Sequence, residues 1–338
     1  MNKIILIALM MITSLYATKK DVTVSIVPQK YFVEKIAGDK VNVNVMVKQG
    51  FSPATYEPRT SQMKKLSTSS VYFAIGVPFE KSWLEKFEHA NKSMLIVHTD
   101  EGIKKLEMAE HSHHEEEGHD EHAHEKHDEH EEYGHKKHDD HDDHEEHGHE
   151  KHDDHEEHGH EKHDDHADEK HDEHEHEGLD PHVWLDPILV KTQALNIYNT
   201  LIKIDEANSS FYKTNYENFI KELDTLNEKL AGILKPYEHK AFMVFHPSWG
   251  YFANRYSLEQ VAIEVEGKEP KPKELVELIK DAKEHKIKIV FVAPQFSQKS
   301  AKIIASSING NVVTIDPLSK DWDKSLINTA VKIADTYK

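Results

Sequence analysis

Two similar α/β lobes with parallel sheets, joined by a long rigid helix, are the fold this sequence predicts. Three observations predict it. Short β-branched apolar runs alternate with helical patterns, the alternation occurs in two separate sets, and a helical stretch of nearly thirty residues lies between them. Alternation at this spacing implies parallel strands, because each return to the same sheet edge needs a crossover helix, and the sheets are then covered on both faces.

In the first set, DVTVSIVP (21–28), VNVNVMV (41–47), VYFAIG (71–76) and SMLIVHT (93–99) read as strands. KYFVEKIAG, PRTSQMKKLS and PFEKSWLEKFEHA read as the helices and turns between them. In the second set KAFMVFH, LEQVAIEV, IKIVFVAP and NVVTIDP are the strands, separated by SWGYFANRYS, PKELVELIKDAKEHK and SQKSAKIIASSI, with DWDKSLINTAVKIADTY closing the chain. Between the sets, DPILVKTQALNIYNTLIKID is helical. In the next stretch Phe211, Phe219, Leu223, Leu226 and Leu230 keep a helical period until Pro236. At about 1.5 Å per residue that stretch spans roughly 40 Å, enough to run along both lobes as a stiff connector. The expected organisation is a first lobe at 18–206, a linker helix at 207–235 and a second lobe at 236–338.

The chain begins MNKIILIALMMITSLYATKK, a lysine followed by an apolar run and a small residue, which reads as a secretory signal peptide at 1–17 cut after Ala17. The run is shorter than the roughly 20 apolar residues of a spanning helix. With no cysteine in the chain there is no lipoprotein signal, disulfide or thiolate metal ligand, so a soluble periplasmic protein is expected. The net charge of −20 is local in origin. His111 to Glu177 holds 30 Asp and Glu against 6 Lys, a balance of −24, and the rest of the chain is about +4. A nearly neutral body gives no reason to expect a nucleic-acid partner.

That same insert, 111–177, holds 23 of the 29 histidines, and HDDHEEHGHEK at 141–151 recurs letter for letter at 152–162. With hardly an apolar residue it is expected to be disordered without metal, because it cannot offset its ordering entropy by burial. Neutral imidazoles beside carboxylates make many overlapping weak sites for zinc, nickel, copper or cobalt, so extra metal ions on the insert are expected.

Ligands of open parallel sheets sit where loops leave the carboxyl ends of strands. Three potential metal ligands fall near such ends or in lobe-joining loops: His182 in LDPHVWLDP, His246 in VFHPSWGYF and Asp316 in TIDPL, each beside a proline that restricts the loop backbone. Two imidazoles and a carboxylate suit Zn2+, and less well Mn2+, Ni2+ or Co2+. Taken singly, each has an ordinary structural reading, a hydrogen-bonded histidine or a turn aspartate. Trp83, Trp184, Trp249 and Trp322 stand in apolar contexts that suit packing.

Six words in order, QGFSPATYEP, GVPFEKSWLEK, LDPHVWLDP, FHPSWGYFANRYSLEQVAIEVEGKEPKPKELVELI, VFVAPQFSQKSAKIIA and TIDPLSKDW, resemble the zinc solute-binding proteins of ABC importers, the ZnuA-like family. The likeness covers nearly all of the chain except the signal and the insert. It implies two α/β lobes closing over one metal ion in the cleft between them, His182 and His246 as ligands, and Asp316 at the fourth position. It also implies a His-rich acidic loop where the insert lies, a metal ABC permease in the inner membrane as partner, and no enzymatic activity. A monomer is expected of a shuttling carrier.

One departure stands out. The family's first ligand is the histidine of a PHTYEP word, and here the word is SPATYEP, with Ala54 in that place. A methyl group cannot coordinate. The open place then falls to water, to Glu57, Glu80 or His98, or to a histidine of the insert; His98 ends a first-lobe strand. Two other function classes stay open on the residues alone. One is a periplasmic metal buffer working through the His-rich tract. The other is a zinc hydrolase, since three protein ligands with an open position suit catalysis, although no HExxH word is present.

Overall fold

A computed structural model describes residues 19–108, 178–264 and 268–338. The leader read at 1–17 and the His-rich tract read at 111–177 lie outside the described residues. The first sheet holds β1 (Lys20–Ile26), β2 (Val41–Val47), β3 (Val71–Ala74) and β4 (Leu95–His98) in the order β2-β1-β3-β4, all parallel. The second holds β5 (Ala241–Val244), β6 (Glu259–Ala262), β7 (Ile289–Val292) and β8 (Asn311–Thr314) in the matching order β6-β5-β7-β8, again all parallel. In both, chain order reverses beside the first strand of the set, so a crevice opens at the carboxyl ends of β1 and β3 in one lobe and of β5 and β7 in the other.

Burial explains why these segments are strands. On β1, Val22, Val24 and Ile26 are fully buried on one face and Thr23 and Ser25 on the other, as a central parallel strand covered on both sides requires. The polar pair survives burial by hydrogen bonding: Thr23 Oγ1 meets Ser69 Oγ at 2.6 Å, and Ser25 Oγ meets the Tyr72 hydroxyl at 2.6 Å. β5 divides its side chains between two cores. Phe242 and Val244 join the large core that runs through the first lobe, while Ala241 and Met243 pack into a smaller one. The smaller core lies beneath α7 (Pro272–Glu284) and α8 (Lys299–Ser307).

The connector is α5 (Ser209–Leu234), whose 26 residues span about 39 Å. It packs on α1 (Val27–Ala37) and α4 (Pro187–Ile204) on one side and on α9 (Trp322–Asp335) on the other. Its buried stripe is Tyr212, Phe219, Leu223, Leu226, Leu230 and Leu234. The stripe thus starts at Tyr212, seven residues before Phe219, and not at Phe211. Phe211 is partly exposed and lays its ring over Gly38, where a β-carbon would stand 3.0 Å from it and where φ is +55°. A second difference concerns Val27 and Pro28, read as strand and found in the first turn of α1. Proline suits a helix start, and the Gln29 amide oxygen accepts from the backbone of Ser25 at 3.0 Å and Ile26 at 3.2 Å, turning the chain out of the sheet.

The lobes are fastened to each other behind the crevices. Trp184 Nε1 donates to the Pro317 carbonyl and Trp322 Nε1 to the Trp184 carbonyl, each at 2.8 Å. Arg255, in α6 (Gly250–Arg255), pairs with the buried Asp186 at 2.8 Å. The two ends of the described chain that flank the His-rich tract are also joined. Glu107 and Leu179 form an antiparallel bridge, and the Tyr251 hydroxyl accepts from Leu106 N at 2.9 Å while donating to the Asp180 carbonyl at 2.8 Å.

Candidate metal centre

The crevices of the two lobes meet at a cavity of about 70 Å³. Its wall draws on the segments after β2 (Ser52, Pro53, Ala54) and β3 (Val77, Pro78), and on the segment before α4 (Pro181, His182, Trp184). From the second lobe come the segments after β5 (His246, Ser248), β7 (Gln295, Phe296) and β8 (Pro317, Leu318). Met108 completes it.

His182 is buried, and its ring Nδ1 donates to Asp180 Oδ1 at 2.7 Å while its backbone N–H reaches the same oxygen at 2.8 Å. Burial holds the imidazole below its ordinary value against the pull of Asp180, so the ring favours its neutral form. His246 stands two residues past β5, stacked on Phe296 with centroids 4.7 Å apart, and its Nδ1 donates to Glu264 Oε2. A carboxylate can only accept, so in both rings the proton sits on Nδ1 and the lone pair is on Nε2. This carboxylate–histidine arrangement fixes the tautomer and raises ligand basicity. Close packing makes room for it: a β-carbon at Gly250 would stand 2.8 Å from Asp180 Oδ2.

The two rings lie 5.3 Å apart, centroid to centroid, with planes at 70°. Two imidazoles sharing a tetrahedral ion at Zn–N distances of about 2.0–2.1 Å have centroids about 5 Å apart. The pair therefore fits one zinc ion. Behind it, the buried Asp180 and Glu264 place two carboxylates where they favour a cation.

The other sequence-read positions are dispersed. Asp316 stands two residues past β8 with Oδ1 accepting from Gln295 Nε2 at 3.1 Å and Leu318 N at 3.0 Å, and its neighbours Pro317 and Leu318 rather than its carboxylate form the wall. Glu57 is exposed and outside the wall. Glu80 is enclosed in the first lobe, where its carboxylate accepts from Ile75 N, Gly76 N and Ser25 Oγ; burial outweighs these bonds and pushes it up to about 7. His98 is half-exposed at the end of β4, raised by the Asp100 carboxylate 3.8 Å away, which an ion pair with Lys105 at 2.6 Å also engages. Among the described residues no group of three His, Asp or Glu is gathered about one point. Ala54 does line the cavity, as the SPATYEP word implied for that position. Sequence reading missed Asp180, Glu264 and Gln295.

Residues 22–337 match the family described as zinc-uptake complex component A, periplasmic. The high-affinity zinc uptake system protein ZnuA of Bacillus subtilis is 34% identical over 154 residues, 44% of this chain and 48% of that protein. The zinc-binding protein AdcA of Streptococcus pyogenes is 24% identical over 328 residues, 91% of this chain and 52% of that one. The chain thus spans about half the length of these curated relatives. Among solved structures, a crystal structure of ZnuA superposes with a TM-score of 0.73 at 37% identity, covering 95% of this chain and 100% of that one. A zinc-bound ZnuA deletion mutant gives 0.72 at 37% identity, covering 94% and 98%.

Proposed function

Since this chain belongs to the zinc-uptake complex component A family, we propose that it is the periplasmic binding component of a zinc ABC importer. It captures Zn2+ between its lobes and delivers it to the membrane permease. One observation carries the reading: two imidazoles 5.3 Å apart, one from each lobe's side of the cavity, both with Nδ1 committed to a buried carboxylate and Nε2 left to coordinate. Asp316, held by Gln295 of the cavity wall, is the oxygen ligand this reading assigns, on the resemblance of TIDPL to the family's word. Capture needs no catalytic group, because enclosing the ion removes it from water and from competing ligands.

Affinity for the first equivalent of zinc, measured by competition against a chromogenic chelator on the full chain, tests the binding half. His182→Ala and His246→Ala should each weaken it at least tenfold, about 1.4 kcal/mol, while His152→Ala in the repeat should not. Equal effects at all three positions would instead make the His-rich tract the working part. Delivery is tested by zinc accumulation in cells lacking the native gene: wild type should restore it under chelation and His246→Ala should not.

A further inference from the structure

His182 belongs to the first lobe by chain order, yet the segment that carries it is bonded to the second. Over residues 180–186, the Asp180 carbonyl accepts from the Tyr251 hydroxyl, Trp184 Nε1 donates to the Pro317 carbonyl and the Trp184 carbonyl accepts from Trp322 Nε1, each at 2.8 Å. Asp186 adds its ion pair with Arg255, also at 2.8 Å. Tyr251 and Arg255 lie on α6 and Trp322 opens α9, both helices of the second lobe. Both indoles and Asp186 are buried, so parting 180–186 from that lobe would strand two donors and a carboxylate away from water. The opposite wall is held differently. Phe79 N donates to the Pro53 carbonyl at 3.1 Å, Ala54 N to Ser52 Oγ at 3.2 Å and Gly76 N to Glu80 Oε2 at 2.7 Å, all within the first lobe. The cavity therefore has a cross-bonded side, which carries both imidazoles, and a side built on first-lobe bonds, which carries Ala54.

Resting on the functional reading above, we propose that residues 180–186 travel with the second lobe, so that His182 and His246 stay paired when the cleft opens and the ion passes the wall at 52–54. Trp184 is the positioning residue of this strap. Its ring centroid lies 5.1 Å from that of His182, and its Nε1 holds the carbonyl of Pro317, the residue after Asp316. One side chain thus sets the first-lobe imidazole against the second-lobe carboxylate. A pair that is never taken apart needs no reassembly for the next ion, which removes an ordering cost from each capture.

Hydrogen exchange of the indole N–H groups, followed by NMR on the 15N-labelled full chain stripped of metal, tests whether the strap parts. The signals are assigned on the wild-type protein from side-chain contacts. Trp184 and Trp322 should be protected to within about tenfold of the slowest strand amides of β1 and β5, because their bonds open only with the whole fold. Exchange more than about tenfold faster than those amides would mean that the strap parts while the lobes stay folded, and overturns the proposal. Chelator competition at one equivalent of zinc then tests the role of Trp184. Trp184→Phe keeps a ring and removes the donor; it should weaken zinc about fivefold, and by less than about twofold beside Asp316→Ala. Equal losses in the two backgrounds, or none in either, would strike Trp184 as the positioning residue. The exchange measurement is made on the wild-type chain, so it decides the strap even where a variant is unfolded. If His182→Ala leaves first-equivalent affinity unchanged, the functional reading fails whatever the indoles do. If His182→Ala weakens binding and the indoles exchange early, only the strap fails.

Discussion

Replacing Glu264 tests how much of the metal affinity resides in groups that never touch the ion. Glu264 is buried, 8% exposed at its side chain, and accepts from His246 Nδ1. Glu264→Gln keeps an acceptor of the same length and removes the charge, so the imidazole stays oriented and loses basicity. Glu264→Ala removes both, although stacking on Phe296 still limits the ring's rotation. Outer partners of metal-bound histidines contribute about 10–100-fold in affinity. The glutamine variant should therefore fall near the lower end, about 1.4 kcal/mol, and the alanine variant nearer the upper end, about 2.7 kcal/mol. Chelator competition at one equivalent of zinc measures both, and thermal melting of the metal-free proteins separates affinity from fold. If Glu264→Ala binds within about twofold of wild type while His246→Ala loses tight binding, then orientation by a buried carboxylate is not what prepares this site.

Three more outcomes are expected. Glu80, pushed up to about 7 by burial, contributes stability that is complete below its unfolded value near 4.5 and lost as pH rises to about 7, a change of about 3 kcal/mol. Urea midpoints of wild type and Glu80→Gln compared from pH 5 to 8 should diverge over that window, and parallel profiles would show that Glu80 does not titrate there. His182 has the opposite sign: with its value depressed by burial, the native state takes up fewer protons than the unfolded chain below about pH 6.5, so acid destabilises the metal-free protein through this residue. Its ring resonances should keep neutral-form shifts at pH 6.5, where an ordinary histidine is half protonated. Arg255→Ala strands the buried Asp186 and should cost about 1–3 kcal/mol, a fall in Tm of about 2–6 °C. An unchanged melting point would mean that the ion pair does not fasten the lobes.

The fold was largely legible because parallel strands advertise themselves. IVFV is buried from its second residue and VNVNVMV at Val41, Met46 and Val47, and the helices between strands begin at prolines or polar residues that mark their starts. Val27 misread because a β-branched residue beside a strand looks like more strand until Gln29 is seen to bond backward. Phe211 misread because its eight-residue offset from Phe219 is nearly as helical as the seven of Tyr212. His246 was legible from its position after a strand, and His182 from its place in the proline-flanked loop that joins the lobes. Asp180 had a local signal, two residues ahead of His182 in the DPH word. Glu264 had only a topological one. Val244 stands in register with Ala262, so two residues further along, His246 faces Glu264, a relation that exists only once β5 and β6 are known to pair in parallel. Glu80 and His98 lie in the right sheet region as sequence, yet their side chains are committed to partners within the first lobe.

The bridge between Glu107 and Leu179 bears on how this sequence can change. Glu107 and Leu179, which flank the His-rich tract, are fixed by their bridge and their neighbours Leu106 and Asp180 by the Tyr251 hydroxyl, so the folded body sets the span that the connection between them must close. On loop-closure grounds, doubling the length of such a connection costs only about 0.6 kcal/mol. Gain or loss of one eleven-residue repeat is therefore nearly neutral for stability, and it leaves the position of His182 three residues beyond Leu179 untouched. Copying errors in the repeat can adjust how many histidines the molecule carries generation by generation, while the pairing of His182 with His246 in the folded body is inherited unaltered.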